Sequence, residues 1–163
     1  MRHPLLILAF LALGACGLHP LYGGGPGSTV ASTLRSVTVA PIPGQSGWLV
    51  RNKLVDRLGD GASPAYRLDV TLDDNITSFG LRSDRAATQE RRTLRARYQL
   101  VDLHNGQVVL DATAGSDAGI DIVSSEYATI AAEQTALENL AGIVADQITA
   151  RVALYASRTQ PAK

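Results

Sequence analysis

Between positions 82 and 97 the chain carries six arginines, Arg82, Arg85, Arg91, Arg92, Arg95 and Arg97, with only Asp84 and Glu90 as acidic residues among them. A guanidinium group is a planar fork that grips a phosphate through two parallel hydrogen bonds. Successive strand residues point to opposite faces, so a strand here puts Arg91, Arg95 and Arg97 on one face and Arg92 on the other. Arg82 and Arg85 are placed to join them from the preceding loop. The chemistry this favours is recognition of a phosphorylated glycolipid, with Arg91, Arg95 and Arg97 as the contacts. The competing reading is a solvated strand face whose like charges blunt an exposed sheet edge. Catalytic constellations are missing. His19 and His104 stand in no metal-ligand spacing, and neither a Gly-x-Ser-x-Gly elbow nor a His-Glu-x-x-His motif occurs. Asp73 and Asp74 are adjacent, so in a strand they diverge and read as a turn or solvated end instead of an acid–base pair. The chain is expected not to be an enzyme and to need no metal or cofactor.

These side chains need a scaffold, and apolar periodicity outlines one. Arg35 to Ala40 predicts a first strand, ended by Pro41 and Pro43, which cannot donate to a ladder. Val50, Leu54 and Leu58 recur every four residues and predict a helix from about Ser46 to Leu58, stopped by Gly59. Tyr66 to Asp73 alternates apolar and polar residues over eight positions, the mark of a half-buried strand; Ile76, Phe79 and Leu81 extend it or pack in the loop that follows. Thr93 to Val101 alternates again, with Leu94, Ala96, Tyr98 and Leu100 on the inner face. Asn105-Gly106 suits the positive φ angles of a tight hairpin. Val108 to Ala114 completes that hairpin, with Val108, Leu110, Ala112 and Ala114 inward. Gly115 to Ser125 reads as a loop. A long helix from Tyr127 to about Ala156 carries the stripe Ile130, Leu137, Ala141, Val144, Ile148, Val152 and Tyr155.

The fold class is therefore α+β: a four-stranded, mostly antiparallel sheet with two helices packed on one face, in the order β-α-β-β-β-α. The opposite face, rich in Thr, Asp and Arg, meets water or a partner. Residues 34–157 form one α/β domain, and residues 158–163 make a tail without periodicity. Fifteen basic residues balance fifteen acidic ones, which argues against nucleic acid as the main partner.

The N-terminal region adds a different chemistry. A short basic start and the apolar run Leu5 to Leu13 lead to Leu13-Gly14-Ala15-Cys16, the layout of a secretory signal peptide over residues 1–15. Cys16 is the chain's one cysteine, and an odd thiol in an oxidising compartment asks for an explanation. The segment resembles the lipobox of bacterial lipoproteins, which implies cleavage before Cys16 and acylation of its thiol and new amino group. Ordinary secretion is the plainer alternative; a spanning helix is excluded by length, since about 20 apolar residues are needed. Residues 16–33, rich in Gly, Ser and Pro, read as the lipidated Cys and a flexible tether. Its glycines lack the Lys-Ser/Thr of a phosphate-binding loop. Gly17, in place of Asp, implies outer-membrane sorting under enterobacteria-like rules.

Three segments together carry a further resemblance: Cys16-Gly17-Leu18-His19-Pro20-Leu21-Tyr22; Arg91 through Gly106, with Ala96-Arg97-Tyr98-Gln99-Leu100-Val101-Asp102 before the turn; and Tyr127-Ala128 leading into an Ala- and Glu-rich helix. They resemble the LptE family of lipopolysaccharide-assembly lipoproteins, alphaproteobacterial type, with Leu18 where Phe is usual. The resemblance implies a protein lipid-anchored in the periplasmic leaflet of the outer membrane. It implies an LptD-type β-barrel as partner in a plug-and-barrel complex, help with that barrel's assembly, and a part in inserting lipopolysaccharide at the cell surface. It implies two helices on a four-stranded sheet and no catalytic residues. Two alternatives share the lipobox and the small domain: an auxiliary lipoprotein of an envelope lipid ABC transporter, and a lipoprotein that binds a soluble ligand in an apolar pocket.

Overall fold

The computed structural model describes residues 29–59, 63–81 and 87–159. The expected signal peptide, Cys16, most of the expected tether, Arg82, Arg85 and residues 160–163 lie outside these. The elements run α1 (Thr29–Arg35), β1 (Val37–Val39), α2 (Gly44–Leu58), β2 (Tyr66–Leu81), β3 (Ala87–Asp102), β4 (Val108–Asp121) and α3 (Glu126–Arg158). The sheet has four strands in the order β1-β2-β3-β4. β1 pairs parallel with β2, joined through the α2 crossover, and the other two pairs are antiparallel. The α+β class and the predicted β-α-β-β-β-α order are borne out, with one short helix added in front.

Local sequence explains each boundary. Pro43 precedes α2 with φ −71°, and Gly59 ends it at φ +87°, where its N–H reaches Val55 O at 2.8 Å. Only glycine takes that left-handed φ without cost. Gly47 lets α2 close onto the chain leaving β1, since a Cβ there would sit 2.6 Å from Ile42 O. Asn105-Gly106 turns β3 into β4: Gly106 has φ +72° and its N–H reaches Asp102 O at 2.8 Å. Ser125 caps α3 by accepting from the Ala128 N–H at 3.4 Å.

The core lies between the sheet and α2 with α3. Leu68, Val70, Leu94, Ala96, Tyr98 and Leu100 meet Val50, Leu54 and Leu58 of α2 and Leu137, Ala141, Val144, Ile148 and Val152 of α3. Tyr66 and Tyr155 meet edge to face with centroids 6.2 Å apart, joining the start of β2 to the end of α3.

Several expectations are corrected. Thr29–Arg35 is a helix, although residues to 33 read as tether and Arg35 as strand. Leu34 is buried in the core, and that tertiary contact overrides the polar local composition. β2 continues past Asp73 to Leu81, β3 begins at Ala87 instead of Thr93, and β4 runs through Asp121 where Gly115 to Ser125 read as a loop. These extensions lack strict alternation because less of their inner face is covered; Ile120 is the one residue of β4 beyond Ala114 that is buried. Ile130 belongs to the predicted stripe but is 56% exposed, and Val108, predicted inward, is 50% exposed. The helix continues through Arg158, one residue into the expected tail.

Candidate functional site

The sheet face away from the helices is polar and open, and ladder pairing determines what it presents. β2 sets Asp69, Thr71, Asp73, Asn75 and Thr77 opposite Gln99, Arg97, Arg95, Thr93 and Arg91 of β3. β4 sets Asp111, Thr113, Gly115, Asp117 and Gly119 opposite Gln99, Arg97, Arg95, Thr93 and Arg91 in turn. Residues directly opposite share a face, so Arg91, Arg95 and Arg97 stand together as expected.

The carboxylates of β4 pair with these arginines, and they change the electrostatics. Arg95 Nη2 lies 3.1 Å from each Asp117 carboxylate oxygen, and its Nη1 donates to Ser116 O at 3.0 Å. Thr93 Oγ1 donates to the same carboxylate at 2.7 Å. Arg97 Nη2 donates to Asp111 Oδ2 at 3.2 Å, and Gln99 Nε2 donates to that oxygen at 2.8 Å. Asp111 is held below the usual carboxylate range by the Gln99 amide first and Arg97 second. Asp117 is held low by the Thr93 hydroxyl, then Arg95, with Arg91 adding attraction through space. Arg97 is shifted upward in return by its hydrogen bond to Asp111.

Gly115 permits this arrangement. A Cβ there would stand 2.5 Å from Arg95 Cδ, so the arginine stem crosses β4 where a side chain is missing. The result is an open concavity of about 550 Å³ bordered by Thr71, Asp73, Arg95, Arg97, Thr113 and Gly115. Arg91 stands apart. Its guanidinium carbon lies 5.3 Å from the centre of the Phe79 ring, and among the described residues no carboxylate pairs with it. Among the described residues the face therefore offers Arg91 without an ion pair, Arg67, Arg95 and Arg97 each paired with an aspartate, and Asp73 without an ion-pair partner.

Arg92 faces the helices, as its parity requires. Its Nε and Nη2 grip the Asp74 oxygens at 2.9 and 2.8 Å, and its Nη1 donates to Glu133 O of α3 at 3.2 Å. The Asp74 hydrogen bond raises the Arg92 pKa despite burial. Asp73 and Asp74 do diverge, but within the middle of a long strand instead of at its end. Their separate roles follow from β2 running on past both of them to Leu81. The two-residue spacing of Asp111, Thr113 and Gly115, continued to Asp117, was the available signal for the counter-charges.

No group of His, Cys, Asp and Glu suited to holding a metal occurs among the described residues. His104 is exposed in the β3–β4 turn. No helix of the described residues is long and apolar enough to cross a membrane. The described open face is polar, and its charges are largely paired between β3 and β4. The family model for LptE, described as lipopolysaccharide-assembly, matches residues 34–152, nearly the whole described domain, and the chain belongs to that family. The family is one of non-enzymatic outer-membrane lipoproteins. Among solved structures, a protein of Caulobacter crescentus CB15 described as a lipoprotein is 29% identical, with a TM-score of 0.67 over 83% of this chain and 100% of that one. Rare lipoprotein B of Shewanella oneidensis is 10% identical, with a TM-score of 0.60 over 75% and 96%. A minor lipoprotein of Acinetobacter baumannii is 14% identical, with a TM-score of 0.54 over 72% and 91%. The last two share the fold. No curated protein matches the sequence.

Proposed function

We propose that this lipopolysaccharide-assembly protein is anchored through acylated Cys16 in the periplasmic leaflet of the outer membrane. There it forms a plug-and-barrel complex with an LptD-type barrel, assists the barrel's assembly and takes part in inserting lipopolysaccharide at the cell surface. Membership of the LptE family over residues 34–152 carries this reading. The open sheet face supports it: barrel interiors are polar, and a plug needs an ordered polar surface to sit in one. Here the order comes from charges tied to each other between β3 and β4. The test is purification of the C-terminally tagged chain from detergent-solubilised envelopes, with partners identified by mass spectrometry. A one-to-one complex with a large outer-membrane barrel is expected; recovery with an inner-membrane lipid transporter instead would overturn the reading.

Within that complex, Arg91, Arg95 and Arg97 are the proposed contacts for lipopolysaccharide phosphate. Among the described residues Arg91 has no carboxylate ion-pair partner, while Arg95 and Arg97 must share theirs with Asp117 and Asp111. Replacing all three by Gln is expected to weaken direct binding of bis-phosphorylated lipid A by about tenfold or more, at about 1.5–3 kcal/mol for each charge-assisted hydrogen bond lost. Arg91→Gln alone is expected to account for the largest single share. Unchanged affinity in the triple variant would remove the ligand role.

A further inference from the structure

The two outer strands of the sheet end in very different ways. β4 is blocked at its midpoint. Gln147 of α3 accepts from the Gly115 N–H at 2.9 Å and donates to Gly115 O at 3.3 Å, occupying both backbone groups that this residue would offer a further strand. On the other side β1 covers β2 only from Tyr66 to Leu68, with one more bond from the Ala40 N–H to Leu68 O at 3.0 Å. Pro41 and Pro43 follow, and neither can donate to a ladder.

From Val70 to Ser78 the edge of β2 is therefore bare. Tyr66 N–H and Leu68 O bond toward β1, so residues of the same parity, Val70, Leu72, Asp74, Ile76 and Ser78, turn both backbone groups outward. Among the described residues nothing bonds those outward groups. Proteins ordinarily guard such an edge with Lys, Pro, a bulge or an inward-pointing charge. This stretch contains neither Lys nor Pro, its inward-pointing Asp74 is neutralised by Arg92 at 2.8 Å, and the first break in register comes at Gly80, with φ +75°. An unguarded edge of this length is a template for strand addition.

Charge selects the occupant. Just before this segment Asp69 is tied to Arg67 at 2.8 Å, and within it Asp74 is tied to Arg92 at 2.8 Å, which leaves Asp73, opposite Arg95 in the ladder, as the carboxylate of this segment without an ion pair among the described residues. A second copy pairing antiparallel about the middle of the edge would bring the two unpaired Asp73 side chains within a few positions of one another on the open face, which is repulsive. An extended segment with Lys or Arg facing Asp73 gains instead. We propose that the β2 edge, Val70 to Ser78, receives an extended basic segment of the barrel partner as a fifth strand of the sheet. The partner's identity rests on the reading given under Proposed function; the availability of the edge does not.

The test uses the full chain, free and in complex with the co-produced barrel, with amide hydrogen exchange read at single residues. Strand addition is expected to slow the Leu72, Asp74, Ile76 and Ser78 amides at least about tenfold, because each gains a partner. The Thr71, Asp73 and Asn75 amides, already bonded to β3, should change little. Ile76→Pro removes one outward donor and leaves the β3 ladder intact, since edge strands tolerate proline on the free side; it should weaken the complex by about fivefold or more. Ser78→Pro is the second variant, and circular dichroism verifies that each folds. A complex that forms with these amides unprotected and both proline variants binding like wild type overturns the edge proposal alone. Failure to form any complex with the barrel overturns the functional reading and the choice of partner together. Protection of the same amides in a homodimer overturns the choice of occupant.

Discussion

Arg92 and Arg97 lie five residues apart on one strand and each pairs with an aspartate of a neighbouring strand, yet they live in different environments. Arg92 and Asp74 sit under α3 with side chains only 13% and 19% exposed, joined through two nitrogens and two oxygens. Arg97 and Asp111 sit on the open face, 70% and 40% exposed, joined through one nitrogen. Charges shielded from water interact strongly but are costly when left alone, whereas exposed pairs are screened and contribute little. The helix side of the sheet is thus built for stability. The open side is built to be ordered while keeping its charges available to a partner.

That contrast predicts a gradient of mutational cost. The largest effect is expected on the covered face: Leu100→Ala, at a fully buried position, should cost about 2–5 kcal/mol from lost transfer energy and the cavity left behind. Urea unfolding measures this. Arg92→Ala should follow at about 2–3 kcal/mol, because it leaves the Asp74 carboxylate partly buried without its partner and frees Glu133 O. Arg97→Ala should leave the unfolding midpoint nearly unmoved. If Arg92→Ala were equally silent, the two faces would not differ in the way proposed.

The same contrast explains what the sequence made legible. Core strands and helices were visible because burial enforces periodicity: Leu94, Ala96, Tyr98 and Leu100 all face inward, as do Val50, Leu54 and Leu58. Where helices do not cover the sheet, no such pressure acts. Gly115 to Asp121 is a strand held by backbone pairing to β3, with small and acidic side chains that read locally as a loop. The arginine face was legible from parity alone. Its ion pairs were not: Asp117 lies in the half of β4 that reads locally as a loop, and the matching of Asp111 to Arg97 depends on ladder register, which is a tertiary fact. The short helix over Thr29–Arg35 was hidden for a related reason, since it is held in place by contacts with α3 and β1 and not by its own propensity.

Gly115 marks the boundary between the two regimes and gives the next effect. A valine there would place Cβ 2.5 Å from Arg95 Cδ and 2.9 Å from Leu94 O. The arginine stem can move but the backbone oxygen cannot do so cheaply, so Gly115→Val should cost about 1–3 kcal/mol. It should also detach Arg95 from Asp117. The sign that sharpens the comparison is a return of the Asp117 pKa toward its ordinary value alongside the loss of stability. Loss of stability alone would mean that Gly115 serves packing and not the placement of Arg95.

The smallest effect is a dependence on pH. Asp111 and Asp117 titrate lower in the folded protein than in the unfolded chain, so their contribution to stability is fully present above the ordinary carboxylate range. It is lost as the pH falls through their folded pKa values, below that range. The first cause at Asp111 is the Gln99 amide, ahead of Arg97. Gln99→Leu should therefore raise the Asp111 pKa more than Arg97→Gln does, as read from carboxyl chemical shifts in an NMR titration. The opposite ranking would mean that charge, and not the neutral amide, orders this face. The open side would then behave as an ion-pair lattice that salt can dissolve, and its order would not survive the ionic strength at which a barrel partner must be met.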